Sequence, residues 1–496
     1  MIRNSKILTA EEAITLIPSG GTLAISGVGS VQEPTLLFTA LIKQFRERGK
    51  PCDLTALYVF RTGDAEGRGT SLLCEPGLVR RMIASSFWPG GVIQLVRDIN
   101  ADKIEAYNLP AGAVYGMIEA VAAGRPGVIT PIGLETFADP RQGGGALNAV
   151  SQEKLVSLIE VDGREYLFYR AIPIDAAFIR GTVADTMGNL CLEEEPAVCG
   201  PLITAQATRA SGGKVIAQVK RIVPAGTLDP RQVKVPGFLV DALVVHPGQM
   251  QTMHEAYDPT LVGEKKFDTT GLTLPEKPSA KVVLHRAMEE TRDNDAIIIG
   301  VGLPAYLPLI ALEQGRYDKL TFSIEHGVNG GINGYITSRT FPVQHNPQAI
   351  VDAYDQLRMF AGGALDCAFL GMGELDGHGN INVSHFGERI PGTGGLTDIA
   401  QGTRRLVFCS TADEKDKRKF VPHVSEITFN GKRAFRSGQD VTYITSRAVF
   451  SLCKTGLELR EAAPGLDIRR DILEWFAFPI SVPDKVKIMP AEYFAL

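Results

Sequence analysis

An α/β protein made of two homologous halves, each a largely parallel sheet flanked by helices, is the fold this sequence predicts. Three observations carry it. Short β-branched runs alternate with helical segments, the pattern of parallel sheets. The run DAAFIRGTVADTMGNL in the first half is echoed by DCAFLGMGELDGHGNI in the second. The echo also keeps its spacing: 13 positions separate Asp175 from Gly188 and Asp366 from Gly379, and 26 separate Gly188 from Lys214 and Gly379 from Arg405. Three anchors at constant spacing put a duplicated unit on one chain. Its halves span 1–255 and 285–496, joined at 256–284 by a polar linker carrying Pro259, Pro275 and Pro278.

Taken in order, Thr9 and Glu12 form a capping box that opens a short helix ending at Pro18. Thr22–Ser26 is a strand, followed by Gly27-Val28-Gly29. Pro34 starts a helix with Leu37, Leu41 and Phe45 on one face and Gly49 past its end. The glycine pair invites a dinucleotide reading, but Gln32 stands where that fingerprint needs its third glycine. A helix after Asn108, a strand at Gly127–Pro131, a strand at Asp175–Arg180, a turn at Gly188-Asn189 and a strand at Lys214–Val219 complete the first half. In the second half Gly300-Val301-Gly302 takes the place of Gly27-Val28-Gly29, and Ala296–Leu312 reads as strand, loop and helix. Glycine and proline interrupt that apolar run, which makes it a poor membrane span. Asn430-Gly431 is expected to turn a hairpin, and Asp467–Phe476 to form a terminal helix.

Composition excludes some roles. A formal charge of −5 from 51 basic and 56 acidic residues favours neither nucleic acid nor an anionic membrane as partner. The basic run Lys415–Lys419 is interrupted by Asp416 and reads as a solvated loop. The first twelve residues have no apolar core, so no targeting segment is expected. Seven cysteines without a C-x-x-C pair point to reduced thiols in a cytoplasmic protein.

The stretch TFSIEHGVNGGING carries the chemistry. Thr321–Ile324 is a short buried strand ending on Glu325, and Gly327, Gly330, Gly331 and Gly334 come after it. A carboxylate at the carboxyl end of a strand, facing a glycine loop, sits where open α/β sheets place ligands. Taken alone, the stretch fits a solvated turn equally well. His326, His345, His378 and His385 cluster nearby without ligand spacing, so no metal is expected. Asp175 and Asp366 begin equivalent strands, which points to a structural role.

Glu325–Ile332 (EHGVNGGI) and the run GALDCAFLGMGELDGHGNINVSHFGERIPGTGGLTDIA resemble the β half of family I CoA-transferases. GRPGVITPIGLETFADPRQGGG is similar to their α half, and VTYITSRAVF and APGLDI to their C-terminal part. The likeness runs in order along the chain and is strongest to fused single-chain acetate or propionate CoA-transferases and acyl-CoA:acetate/3-ketoacid CoA-transferases. It implies two CoA-transferase-type domains and an enzyme that moves CoA from an acyl-CoA to a free carboxylic acid. By the resemblance Glu325 is the nucleophile, forming an acyl-glutamyl anhydride and then a glutamyl-CoA thioester. Gly394 and Gly395 would supply oxyanion contacts. Asn380, Asn382, Gly327, Gly330, Gly331, Ala111 and Gly112 would line the substrate or CoA site. CoA is then substrate and covalent intermediate, with no tightly bound cofactor, and a homodimer or homotetramer is expected.

Two positions depart from the family pattern. Ala111 stands where Leu-Pro-Gln-Gly has a glutamine that helps hold a small carboxylate, and Glu135 where a small residue is usual. Both point away from a preference for acetate or propionate. Two other classes use the same fold: hydrolases of acyl-CoA or C–C bonds, with Glu325 as a base towards water, and ligand sensors without catalysis. A sensor has no need of Glu325 within its full glycine motif.

Overall fold

A computed structural model describes residues 6–64, 67–87, 93–333 and 343–495. Gly334, the last glycine of the loop after Glu325, lies outside them. The first half contains strands β1 (Thr22–Ile25), β2 (Leu54–Tyr58), β3 (Val79–Ala84), β4 (Glu105–Asn108), β5 (Gly127–Thr130), β6 (Val156–Val161), β7 (Arg164–Arg170), β8 (Ala176–Asp185), β9 (Leu190–Cys191), β10 (Lys214–Val223) and β11 (Ala242–Val245). Its helices are α1 (Ala10–Ile14), α2 (Thr35–Arg48), α3 (Gln94–Asn100), α4 (Ala111–Ala122) and α5 (Pro201–Ala210). The Thr9–Glu12 capping box forms, and Gly49 closes α2 in the left-handed conformation.

Seven strands in the order β11-β10-β8-β1-β2-β3-β4 make a parallel sheet, with β9 antiparallel to β8. The strand expected at Gly127–Pro131 forms as β5 but leaves this sheet. It joins β7 and β6 in a separate antiparallel unit.

The second half opens with α6 (Pro278–Met288), so the last residues of the expected linker are already helical. Its strands are β12 (Ala296–Ile299), β13 (Thr321–Ser323), β14 (Val328–Asn329), β15 (Ala349–Ile350), β16 (Cys367–Gly371), β17 (Glu374–Leu375), β18 (Ile381–Asn382), β19 (Arg405–Cys409), β20 (Asp440–Ile444), β21 (Ala448–Cys453), β22 (Gly456–Ala462) and β23 (Lys487–Ile488). The helices are α7 (Leu307–Glu313), α8 (Ala353–Ala361), α9 (Leu396–Gly402) and α10 (Gly431–Arg436). Here β13-β12-β16-β19-β20 form a parallel run, and antiparallel pairings through β21 and β22 extend the sheet on one side.

The repeat is present in the ladders. Asp175 accepts from the Thr22 N–H and Asp366 from the Ala296 N–H, both at 2.8 Å, fastening the start of each central strand. This registers Thr22 with Ala296 and Thr55 with Thr321. Ser26, not Gly27, therefore occupies the ladder position of Gly300, and both donate to the equivalent strand carbonyl, Phe178 and Phe369. The two Gly-Val-Gly echoes are thus offset by one residue in space.

Two further expectations change. Asn430-Gly431 is no hairpin: Asn430 caps α10 by accepting from the Arg433 N–H. The terminal helix is a single π-helical stretch at Ile468–Leu473. The linker is tied down, with Phe267 stacked on His345 at 3.9 Å between ring centroids and its N–H bonded to the Asn346 side chain. Among the described residues no helix is long and apolar enough to cross a membrane.

Candidate active site

The short strand β13 is pulled into a tight turn because Ile324 and Val328 share a backbone hydrogen bond of 3.0 Å. Glu325 stands at the head of that turn. Gly327 has φ 91°, and a Cβ there would overlap the Val351 carbonyl. Gly330 and Gly331 likewise have the side chains of Gln348 and Gln344 against them. These glycines let the 344–351 segment close over the loop, and this packing fixes where Glu325 points.

Glu325 accepts the Gly395 N–H at 2.8 Å on Oε2, while Oε1 lies 3.5 Å from His326 Nε2. Its side chain is 17% exposed. Burial pushes the carboxyl up to about 7, against the opposing pull of the Gly395 hydrogen bond. His326 is buried with its ring edge-on to Phe60 at 4.5 Å. Burial drives that imidazole down to about 3, so it is a neutral neighbour of the carboxylate.

The loop before α9 is stitched to the first half. Phe87 donates to Pro391, Gly394 donates to Ser85 at 2.8 Å, and Ala111 donates to the Gly394 carbonyl at 3.1 Å. The Thr393 N–H reaches Asn108 Oδ1 at 3.3 Å. The site therefore lies on the seam between the halves. Of the two expected oxyanion donors, only Gly395 aims its N–H at Glu325. The Gly394 N–H is spent on Ser85, and that residue contributes a left-handed backbone instead, φ 54°.

Asn380 and Asn382 are both buried with their amides engaged. Asp376 accepts from the N–H groups of His378 and Asn380 and from Asn380 Nδ2, and Asn380 Oδ1 accepts the Gly431 N–H. Asp185, Asn189 and Gly237 repeat this arrangement in the first half, which has no counterpart of Glu325. Asn380 thus holds a turn. Asn382 donates to Glu374 and to the His385 carbonyl and accepts from Ser384.

Ala111 and Gly112 form the first turn of α4, and Ala111 is fully buried. Glu135 does not turn towards this site. It pairs with Arg436 and Arg433, and its carbonyl accepts from Asn430 at 3.1 Å. It is a clasp between the halves.

Three residues at the seam were not singled out in the sequence: Ser85, Asn108 and Asp398. Ser85 and Asn108 end or succeed strands at their carboxyl edge, which is the signal that could have found them. Asp398 lies three positions beyond the Gly-Thr-Gly-Gly loop. It is 1% exposed and accepts the Gly112 N–H at 3.1 Å.

The register pairs each site position with its counterpart. Thr55 matches Thr321, so Val59 stands where Glu325 does and Phe60 where His326 does. Their loops meet face to face through the Phe60–His326 contact.

The Coenzyme A transferase family matches residues 7–246 of the chain. The acetate CoA-transferase YdiF of Escherichia coli K12 is 37% identical over 98% of this chain and 95% of its own length. The caffeate CoA-transferase of Acetobacterium woodii is 35% identical over 99% and 98%. The crystal structure of the acyl-CoA transferase YdiF apoenzyme from Escherichia coli O157:H7 superimposes with a TM-score of 0.93 at 36% identity, covering 100% of this chain and 97% of that one. The thioester complex of the same enzyme with CoA gives 0.90 at 36% identity, covering 99% and 96%.

Proposed function

Since the chain belongs to the coenzyme A transferase family and is a CoA-transferase, we propose that it works by a ping-pong route through Glu325. The observation carrying this reading is the buried Glu325 carboxylate, pinned by the Gly395 N–H and ionising near neutrality. A more basic carboxylate is a stronger nucleophile. Glu325 attacks the thioester carbonyl of an acyl-CoA, giving an acyl-glutamyl anhydride and CoA thiolate. The thiolate then attacks the glutamyl carbonyl, releasing the first acid and leaving a glutamyl-CoA thioester. A second carboxylate runs the steps in reverse.

The Gly395 N–H already touches the glutamyl oxygen that becomes the oxyanion when thiolate adds, so no reorganisation is needed at that step. Gly394 and Gly395 leave space for Glu325 to approach, and Gly327, Gly330 and Gly331 let the 344–351 segment pack on its loop. Where the family pattern has glutamine, Ala111 offers no amide to a small acid, which supports an acceptor larger than propionate. That one relative is a caffeate CoA-transferase fits this reading. A homodimer or homotetramer in the cytoplasm completes the proposal, in keeping with seven unpaired cysteines.

The test is mass spectrometry after incubation with an acyl-CoA and no acceptor. CoA is expected on the peptide containing Glu325. Adduct on another residue, or none in a preparation shown to turn over, rules the assignment out. Turnover without any carboxylate acceptor would favour the hydrolase reading.

A further inference from the structure

A second carboxyl group lies at the same seam, and the route through Glu325 has no step for it. Asp398 sits in the first turn of α9, three residues after the Gly395 whose N–H holds Glu325. Its carboxylate faces the other half of the chain and accepts the Gly112 N–H at the start of α4. One residue earlier, the Ala111 N–H is taken by the Gly394 carbonyl. The start of α4 is therefore gripped at two successive amides, by the glycine loop and by Asp398. Gly112 is required for that grip, because a Cβ there would overlap Asp398 Oδ1.

We propose that Asp398 is a positioning residue for the reaction at Glu325: it seats α4 against the glycine loop, and its carboxyl group is coupled to that of Glu325 across the seam. The inference rests on Glu325 being the nucleophile. Two carboxyl groups in a water-poor seam resist ionising together, and the Glu325 charge adds to burial in raising Asp398. The groups around the pair do not relieve this. Glu325 and the neutral Tyr169 phenol face Asp398, and Tyr169 donates its hydroxyl to the Ile132 carbonyl. His326, Tyr115 and Cys199 lie about Glu325, with Asp352 behind the latter two. His326, Tyr115 and Cys199 are neutral near pH 7, since burial lowers the imidazole and raises the phenol and thiol. Asp352 is itself a buried carboxyl, accepting the Gly200 and Tyr354 N–H groups. Burial likewise pushes Asp398 up to about 7, the same range as Glu325.

The experiment compares wild type, Asp398→Asn and Asp398→Ala by the pH profile of kcat/KM, with the CoA adduct measured in each. Asn keeps an acceptor for Gly112 but removes the charge. Its acid limb should move down by about one pH unit, because Glu325 can then ionise without a like-charged neighbour. Ala should show the same movement plus a further loss of kcat at every pH, about tenfold, from the unseated loop. An acid limb that stays in place in Asp398→Asn, while adduct still forms on the Glu325 peptide, overturns the role of Asp398 and leaves the nucleophile assignment intact. Absence of adduct in active wild type overturns both.

Discussion

Replacing Glu325 with glutamine should make the protein more stable at alkaline pH while abolishing turnover. Glutamine keeps an oxygen to accept the Gly395 N–H and fits the same space, so the change is confined to charge. The folded-state carboxyl ionises at about 7 rather than the ordinary 4.5, because burial opposes the charged form. The proton is thus held more tightly folded than unfolded. That contribution is fully present below the unfolded value and is lost as pH rises through 7. At about 1.4 kcal/mol per pH unit, holding the charge in the folded state costs about 3 kcal/mol at pH 8. Unfolding entropy for a chain of this length is about 1 kcal/mol per degree, so the variant's Tm should exceed wild type by about 3 °C at pH 8. The gap should close between pH 7 and pH 4.5. Differential scanning calorimetry across that range is the assay. A variant no more stable than wild type at pH 8, with unchanged secondary structure, would show that Glu325 is not held in a desolvated, destabilising position.

Gly395→Ala places a Cβ against Glu325 Oε2 and close to Leu357, and should lower kcat tenfold or more, with CoA affinity changing much less; steady-state kinetics with a fluorescence binding titration separates the two. Ala111→Gln should shift kcat/KM towards acetate relative to a longer acid. The added amide can supply a hydrogen bond of about 1 kcal/mol to a small carboxylate, while the filled volume excludes methylenes worth about 0.8 kcal/mol each. A competition assay with acetate, propionate and a longer acid measures the ratio, and no change would remove Ala111 from the selectivity argument.

Legibility in the sequence was confined to features that repeat or that chemistry demands locally. The constant spacing of Asp175 and Asp366 to their downstream glycines reflects a real equivalence, because both aspartates fasten the same ladder position. Glu325 was legible from its place after a strand and before glycines. Less legible was anything decided by a partner far along the chain. Asp398 meets Gly112 across 286 positions, and Gly394 gives its N–H to Ser85 from the other half. No local pattern marks such pairs. Asn380 has a structural part that its motif did not announce. Gly-Asn is shared with the family's site pattern, and an asparagine in a turn also satisfies backbone groups, as Asn189 does in the first half. Asn430-Gly431 misled because the same dipeptide that turns a hairpin also caps a helix, and here residues 432–436 continue as helix rather than as a returning strand.

The pairing of the two halves also explains why only one carries a carboxylate at this position. Duplication places Val59 at the ladder position of Glu325, and the seam brings the next residues, Phe60 and His326, into ring contact. The two equivalent loops are thus neighbours. Glu325 already shares the region with Asp398 and Asp352, both of which burial pushes up to about 7. A carboxylate at position 59 would add another like charge where few counter-charges reach, and each proton would be held more tightly still. Glu325 would then stay protonated at neutral pH. A buried valine with a phenylalanine beside it keeps water out without adding charge. The first half therefore contributes the apolar wall and the backbone clamps at Ser85, Ala111 and Gly112, and the second contributes the Glu325 carboxyl.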